Sequence, residues 1–142
     1  MNEEIEYTLN KLLLNASLYS IEYSGILSFK FSISNKSIYY DKIVEVIIEF
    51  VSGCKIFNKI TNFNIDNNEL FELVSLDISN VKLFDDKFLE IYIDDRYIIR
   101  ALEDNFVLND VKWIIKNKLN NYRIFYDGYK IGQYPKNCVN IN

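Results

Sequence analysis

Residues 27–34 read Leu-Ser-Phe-Lys-Phe-Ser-Ile-Ser, an unbroken alternation of apolar and polar side chains. A period of two marks a strand with one face buried and one wet, because successive side chains leave an extended chain on opposite sides. Leu27, Phe29, Phe31 and Ile33 are therefore the predicted core face, with Ser28, Lys30, Ser32 and Ser34 toward solvent. Just upstream, Tyr19, Ile21 and Tyr23 alternate with Ser20, Glu22 and Ser24, and Ser24-Gly25 supplies a turn. The two runs predict an antiparallel hairpin, and the rest of the chain falls into place around it.

Before the hairpin, Ile5, Leu9, Leu12, Leu13 and Ala16 recur at helical spacing, and Glu3 and Glu4 sit where a helix N-terminus favours acid, so residues 3–16 read as a helix. After it, residues 42–51 carry both a helical polar stripe (Lys42, Glu45, Glu49, Ser52) and a density of β-branched side chains, which favours a strand. A shorter strand is expected at Lys55 to Ile60. Asp66 with Glu69 fits a capping box, giving a brief helical turn ahead of a strand near Phe71 to Ile78. Residues 88–93 and 97–102 form a second hairpin about Asp94-Asp95-Arg96. A three-residue loop pairs Ile91 with Ile99 and Leu89 with Ala101, and sets Glu90 opposite Arg100 on the less buried face. A two-residue loop would drive Arg100 onto the apolar face, so the longer loop is preferred. Val111, Ile114, Ile115 and Leu119 share a helical face, predicting a second short helix from Asn109 or Asp110 to about Asn120, with Trp113 packed beside it. Last, Asp127-Gly128 between two alternating runs signals a hairpin, with Arg123 opposite Gly132 among Tyr122, Tyr126, Tyr129 and Tyr134.

The expected class is α+β and predominantly antiparallel β. It is a sandwich or partly open barrel of about seven to nine strands, with an N-terminal helix and a short helix near the C-terminus. A chain of 142 residues, 49% hydrophobic and 15% aromatic, supports one core. At this size folding hides roughly two thirds of the unfolded surface. One domain, 1–142, is expected, with a loosely ordered tail after about residue 135. The acidic start lacks the basic and apolar segments of a secretory signal, and no apolar run approaches the roughly 18 residues of a membrane span, so the expected location is the cytoplasm. Cys54 and Cys138 show no metal or redox spacing and read as thiols. The wealth of Asn, Ile, Lys and Tyr matches an AT-rich bacterial coding sequence.

Chemistry is narrowed mainly by what is missing. The chain contains no histidine, which removes the usual general base and the Ser-His-Asp and Cys-His constellations. Its four glycines form neither a P-loop nor a dinucleotide fingerprint, and a net charge of -4 argues against binding nucleic acid. No cofactor and no metal are expected. Carboxylates remain: Asp85-Asp86, Asp94-Asp95 and Glu103-Asp104 recur at about one strand length, which brings the first and last pairs to one end of the second hairpin. Four carboxyls there suit a divalent cation or an acid–base pair, although acids at strand ends are more often solvated turn residues. Arg123, Tyr126 and Tyr129 are of the residue types enriched at binding hot spots, and core packing competes for the same rings.

Residues 12–23 (Leu-Leu-Leu-Asn-Ala-Ser-Leu-Tyr-Ser-Ile-Glu-Tyr), then 27–31 (Leu-Ser-Phe-Lys-Phe) and 46–55 (Val-Ile-Ile-Glu-Phe-Val-Ser-Gly-Cys-Lys), resemble the strand layout of small β-rich bacterial proteins. Some of these are immunity proteins of polymorphic or contact-dependent toxin systems. Where such proteins often carry Leu-His-Asp, this chain has Leu14-Asn15-Ala16. The resemblance implies a non-enzymatic inhibitor of a cognate toxin. The acids make a basic toxin domain the expected partner, met through Asp85, Asp86, Asp94, Asp95, Glu103 and Asp104 or through Arg123, Tyr126 and Tyr129. The alternatives are a carboxylate-based cation binder or enzyme, and a β-barrel holding an apolar small molecule in an aromatic interior.

Overall fold

Among the described residues, helix α1 (Asn2–Leu13) precedes ten strands, one more than the upper end of the seven to nine expected, of which β1 (Ser17–Tyr23), β2 (Leu27–Lys36), β3 (Asp41–Phe50) and β4 (Cys54–Asn58) come first. A 3-10 helix (Glu69–Leu73) leads to β5 (Ile78–Leu83), β6 (Leu89–Ile93) and β7 (Tyr97–Ala101), followed by β8 (Trp113–Asn117), β9 (Tyr122–Tyr126) and β10 (Ile131–Tyr134). This is a computed structural model, describing residues 2–36, 41–66, 68–84, 88–102, 111–118 and 121–134. The strands form two antiparallel sheets, a six-stranded one in the order β1-β2-β3-β8-β9-β10 and a four-stranded one in the order β4-β7-β6-β5.

The two sheets share one core, as an open sandwich. Phe29, Phe31, Val46, Ile48, Phe50, Trp113 and Ile115 of the larger sheet belong to the same buried cluster as Ile56, Val81, Leu89, Ile91 and Ile99 of the smaller one. The alternation that predicted Phe29 and Phe31 as core holds, since both are 0% exposed while Lys30 turns outward to an ion pair with Glu22 at 2.9 Å. Helix α1 buries Leu9, Leu12 and Leu13 and lies along the edge strand β5. There Asn10 acts as a substitute strand: its Nδ2 donates to the Val81 carbonyl at 2.8 Å and its Oδ1 accepts from the Val81 amide at 2.9 Å. Glu6 Oε2 accepts from the Leu83 amide at 2.9 Å, so side chains occupy backbone groups that would otherwise invite another chain.

Three expectations are corrected. The segment about Trp113 is an interior strand, not a helix: β8 pairs with β3 on one side and β9 on the other. The spacing of Ile114 and Ile115 fits a helix, yet only the extended form lets Trp113 and Ile115 enter the core while the backbone bonds two neighbours, and β-branched residues favour it. Leu119 and residues 109–110 lie outside the described residues. The strand expected at Phe71 to Ile78 starts only at Ile78. Asp66 Oδ1 accepts the amides of Asn68 and Glu69, both at 3.0 Å, and the helical turn it caps takes up Glu69–Leu73. The last hairpin has a four-residue loop, so Arg123 pairs with Tyr134 and Gly132 with Phe125. The Asp127 carboxylate sets that loop by accepting the amides of Tyr129 and Lys130 at 2.9 and 3.0 Å. The register brings the Phe125 ring against Gly132, where an added Cβ would overlap it.

Candidate functional site

The outer face of the four-stranded sheet follows from the same alternation as the core. In β6, Leu89, Ile91 and Ile93 point inward and Glu90 and Tyr92 outward; all five are buried. Opposite them in β7 stand Arg100 and Ile98, because the loop has three residues and the register pairs Glu90 with Arg100 and Ile91 with Ile99. The Asp94 and Asp95 backbones both lie at φ 52, a left-handed conformation that aspartate tolerates, which tightens the turn. Extending the register gives two rows across the sheet. One runs Lys82, Glu90, Arg100, Lys55, the other Asn80, Tyr92, Ile98, Phe57.

At the centre of the first row, Glu90 is only 1% exposed, far more buried than its outward position predicts. Its Oε2 accepts from Arg100 Nη2 at 2.5 Å and Nε at 2.6 Å, and its Oε1 from the Tyr92 hydroxyl at 3.0 Å. These partners satisfy the carboxylate and close over it. Burial, reinforced by the hydrogen bond to Glu90, pushes the Tyr92 phenol up to about 12, so at neutral pH it remains the donor.

The second row is an apolar patch beneath cations. Phe57, Tyr92 and Ile98 are a buried cluster of their own, separate from the main core. Arg100 lies 5.0 Å and Lys55 Nζ 5.8 Å from the Phe57 ring centre. Lys82 Nζ lies 5.1 Å and Lys59 Nζ 5.7 Å from that of Tyr92. Such distances are within the roughly 6 Å over which a cation is drawn to a ring face, and the aliphatic stems cover apolar surface while the charges stay wet. Among the described residues this face sets four cations against two carboxylates, Glu90 and Asp95, on a chain with net charge -4. It is a local reversal of sign on a rigid sheet.

Of the residues singled out from sequence, the described ones are dispersed. Asp94 and Asp95 sit at the exposed tip of the β6–β7 turn and already hold cations, Arg96 at 2.8 Å and Lys59 at 2.6 Å. Asp85, Asp86, Glu103 and Asp104 lie outside the described residues. Tyr126, half-buried, has its ring 6.4 Å from Trp113 and its hydroxyl donating to the Gly128 carbonyl at 2.9 Å. Arg123 is on the outer face of the six-stranded sheet beside Lys116, with its Nε buried and lacking a hydrogen-bond partner. Tyr129 is 77% exposed on the last loop. These three do not converge. Sequence reading missed Lys55, Phe57, Lys59, Lys82 and Tyr92, although Phe57, Tyr92 and Ile98 share strand parity with charged neighbours, a detectable sign of an apolar outer face.

Cys54 is a free thiol, and burial pushes it up to about 12, which keeps it neutral and a poor nucleophile. Cys138 lies outside the described residues. Among the described residues no group of three or more His, Cys, Asp or Glu is placed to hold a metal ion, and no helix is long and apolar enough to cross a membrane. Comparison with protein-family models, curated proteins and solved structures finds no match.

Proposed function

We propose that this chain is a non-enzymatic, inhibitory protein-binding module, an immunity protein that neutralises a cognate bacterial toxin by covering it, and that it docks through the outer face of the four-stranded sheet. The observation that carries the proposal is the cationic row Lys82-Arg100-Lys55 over the Phe57-Tyr92-Ile98 cluster, pinned by buried Glu90. Arginine and aromatic side chains on a fixed scaffold make effective hot spots, since little side-chain freedom is lost on binding. The resemblance to the strand layout of immunity proteins supports the same reading.

The sign of this face calls for an acidic patch on the partner. A basic partner is the expectation from the acid clusters; of these, Asp94 and Asp95 pair with Arg96 and Lys59, and the other four acids lie outside the described residues. Complementary charge accelerates encounter and fixes orientation. The test is rescue of cells that express the toxin domain encoded beside this gene. Wild-type chain should rescue, and Lys55→Glu/Lys82→Glu should not, while folding normally because both lysines are exposed. Failure of the wild type to rescue would end the immunity reading; undiminished rescue by the double variant would end the assignment of the face.

A further inference from the structure

The two sheets are joined by the chain that leaves β3 and enters β4, through Val51-Ser52-Gly53, with Gly53 at φ 94. Beside this crossing the sandwich does not close. A cavity of about 750 Å³ opens there between the β1–β2 turn, the β3–β4 crossing and the 3-10 helix. Its wall includes Ile21, Leu27, Phe50, Leu70 and Val74. Phe50 is part of the main core and Ile21, Leu27 and Leu70 pack against it, so the cavity is an extension of the core toward solvent. At its mouth stand two aromatic rings, Tyr23 at 76% and Phe71 at 79% exposure.

Among the described residues none of the lining side chains carries a charge at neutral pH. The polar groups are accounted for or neutral: the Ser52 hydroxyl donates to the Leu102 carbonyl, and burial pushes the Cys54 thiol up to about 12. Among the described residues no side chain of the wall would pair a charged ligand stripped of its water there. The volume lies within the roughly 300–1,000 Å³ usual for small-molecule sites, and contiguous exposed apolar surface on a folded chain commonly marks a binding site. We infer that this cavity binds an uncharged, predominantly apolar small molecule, of the size of a medium-length hydrocarbon chain, with its polar end at the Tyr23–Phe71 mouth. The site is separate from the cationic face and stands or falls without it.

The test uses dodecanol as ligand and Nile red as fluorescent reporter on the full chain. Dodecanol should displace Nile red with one-to-one stoichiometry and at least tenfold more effectively than dodecanoate, whose carboxylate the wall does not match. Val74→Trp, which fills the cavity, should weaken dodecanol binding at least tenfold; Phe71→Ala, at an exposed position that leaves the core intact, should weaken it severalfold. Lys55→Glu/Lys82→Glu should leave it unchanged. Absence of dodecanol binding to the wild type, equal binding of dodecanoate, or undiminished dodecanol binding by both Val74→Trp and Phe71→Ala would each overturn the inference, whatever the outcome of toxin rescue.

Discussion

Replacing Arg100 by Met keeps most of the apolar stem over Phe57 and removes the guanidinium that holds Glu90. The carboxylate of Glu90, whose side chain is 2% exposed, would then keep the Tyr92 hydroxyl alone of these partners. Breaking a fully buried ion pair by deleting one partner costs about 3–5 kcal/mol, and an exposed pair is worth roughly 0.2–1 kcal/mol. The Arg100 side chain is 46% exposed, so water screens one end of the pair and the expected loss is intermediate, about 2 kcal/mol. With a urea slope of about 1–3 kcal/mol per molar for a domain of this size, the unfolding midpoint should fall by about 1 M. Glu90→Gln keeps the acceptor for Tyr92 while discarding the charge, and should cost only about 1 kcal/mol. Because the charge is what Arg100→Met strands, Glu90→Gln/Arg100→Met should be no less stable than Arg100→Met alone. A double-mutant cycle from urea unfolding gives the coupling directly. A coupling below about 0.5 kcal/mol would mean that Glu90 and Arg100 behave as an ordinary surface pair, and the view of Arg100 as preorganised would be wrong.

Three further outcomes follow from the packing. Phe31→Ala should cost about 3–5 kcal/mol in chemical denaturation and Lys30→Ala no more than about 0.5 kcal/mol, and equal losses would show that strand β2 is misread. Gly132→Ala should destabilise by about 1–3 kcal/mol through overlap with the Phe125 ring, with most of that loss relieved in a Phe125→Leu background; no relief would place the strain elsewhere. The Tyr92 phenol is raised from 10.0 to about 12, chiefly by burial with the hydrogen bond to Glu90 adding to it. The unfolded chain therefore releases this proton first, and stability should fall as pH rises from 10 toward 12, with Tyr92→Phe flattening the slope; the same slope in Tyr92→Phe as in the wild type would contradict that environment.

Elements with a single consistent period were legible in the sequence. The alternation at Leu27 to Ile33 has no helical counterpart, and the register of the β6–β7 hairpin followed from keeping Arg100 off the face of Ile91 and Ile93. Trp113 to Asn117 was not legible, because Ile114 and Ile115 satisfy either period and the choice is made by β3 and β9, which come from distant stretches of chain. The terminal register failed for a local reason: Asp-Gly favours a two-residue loop, but the Asp127 side chain caps a wider one. Conspicuous acids and tyrosines drew attention away from the candidate face. Its cations are scattered over Lys55, Lys59, Lys82 and Arg100, and only the pairing of four strands makes them neighbours. The cavity beside Gly53 has no sequence signature, since its wall is made of ordinary core residues from segments that meet only in the folded chain.

The most direct test of the docking face is lysine footprinting of the complex purified from the native host. Free chain and complex are acetylated briefly under identical conditions, and each lysine is compared by mass spectrometry. Lys55 and Lys82 should be strongly protected in the complex, whereas Lys11 and Lys130, exposed on the helix and the last loop, should react as in the free chain. Equal modification of Lys55 and Lys82 with and without the partner would contradict the account.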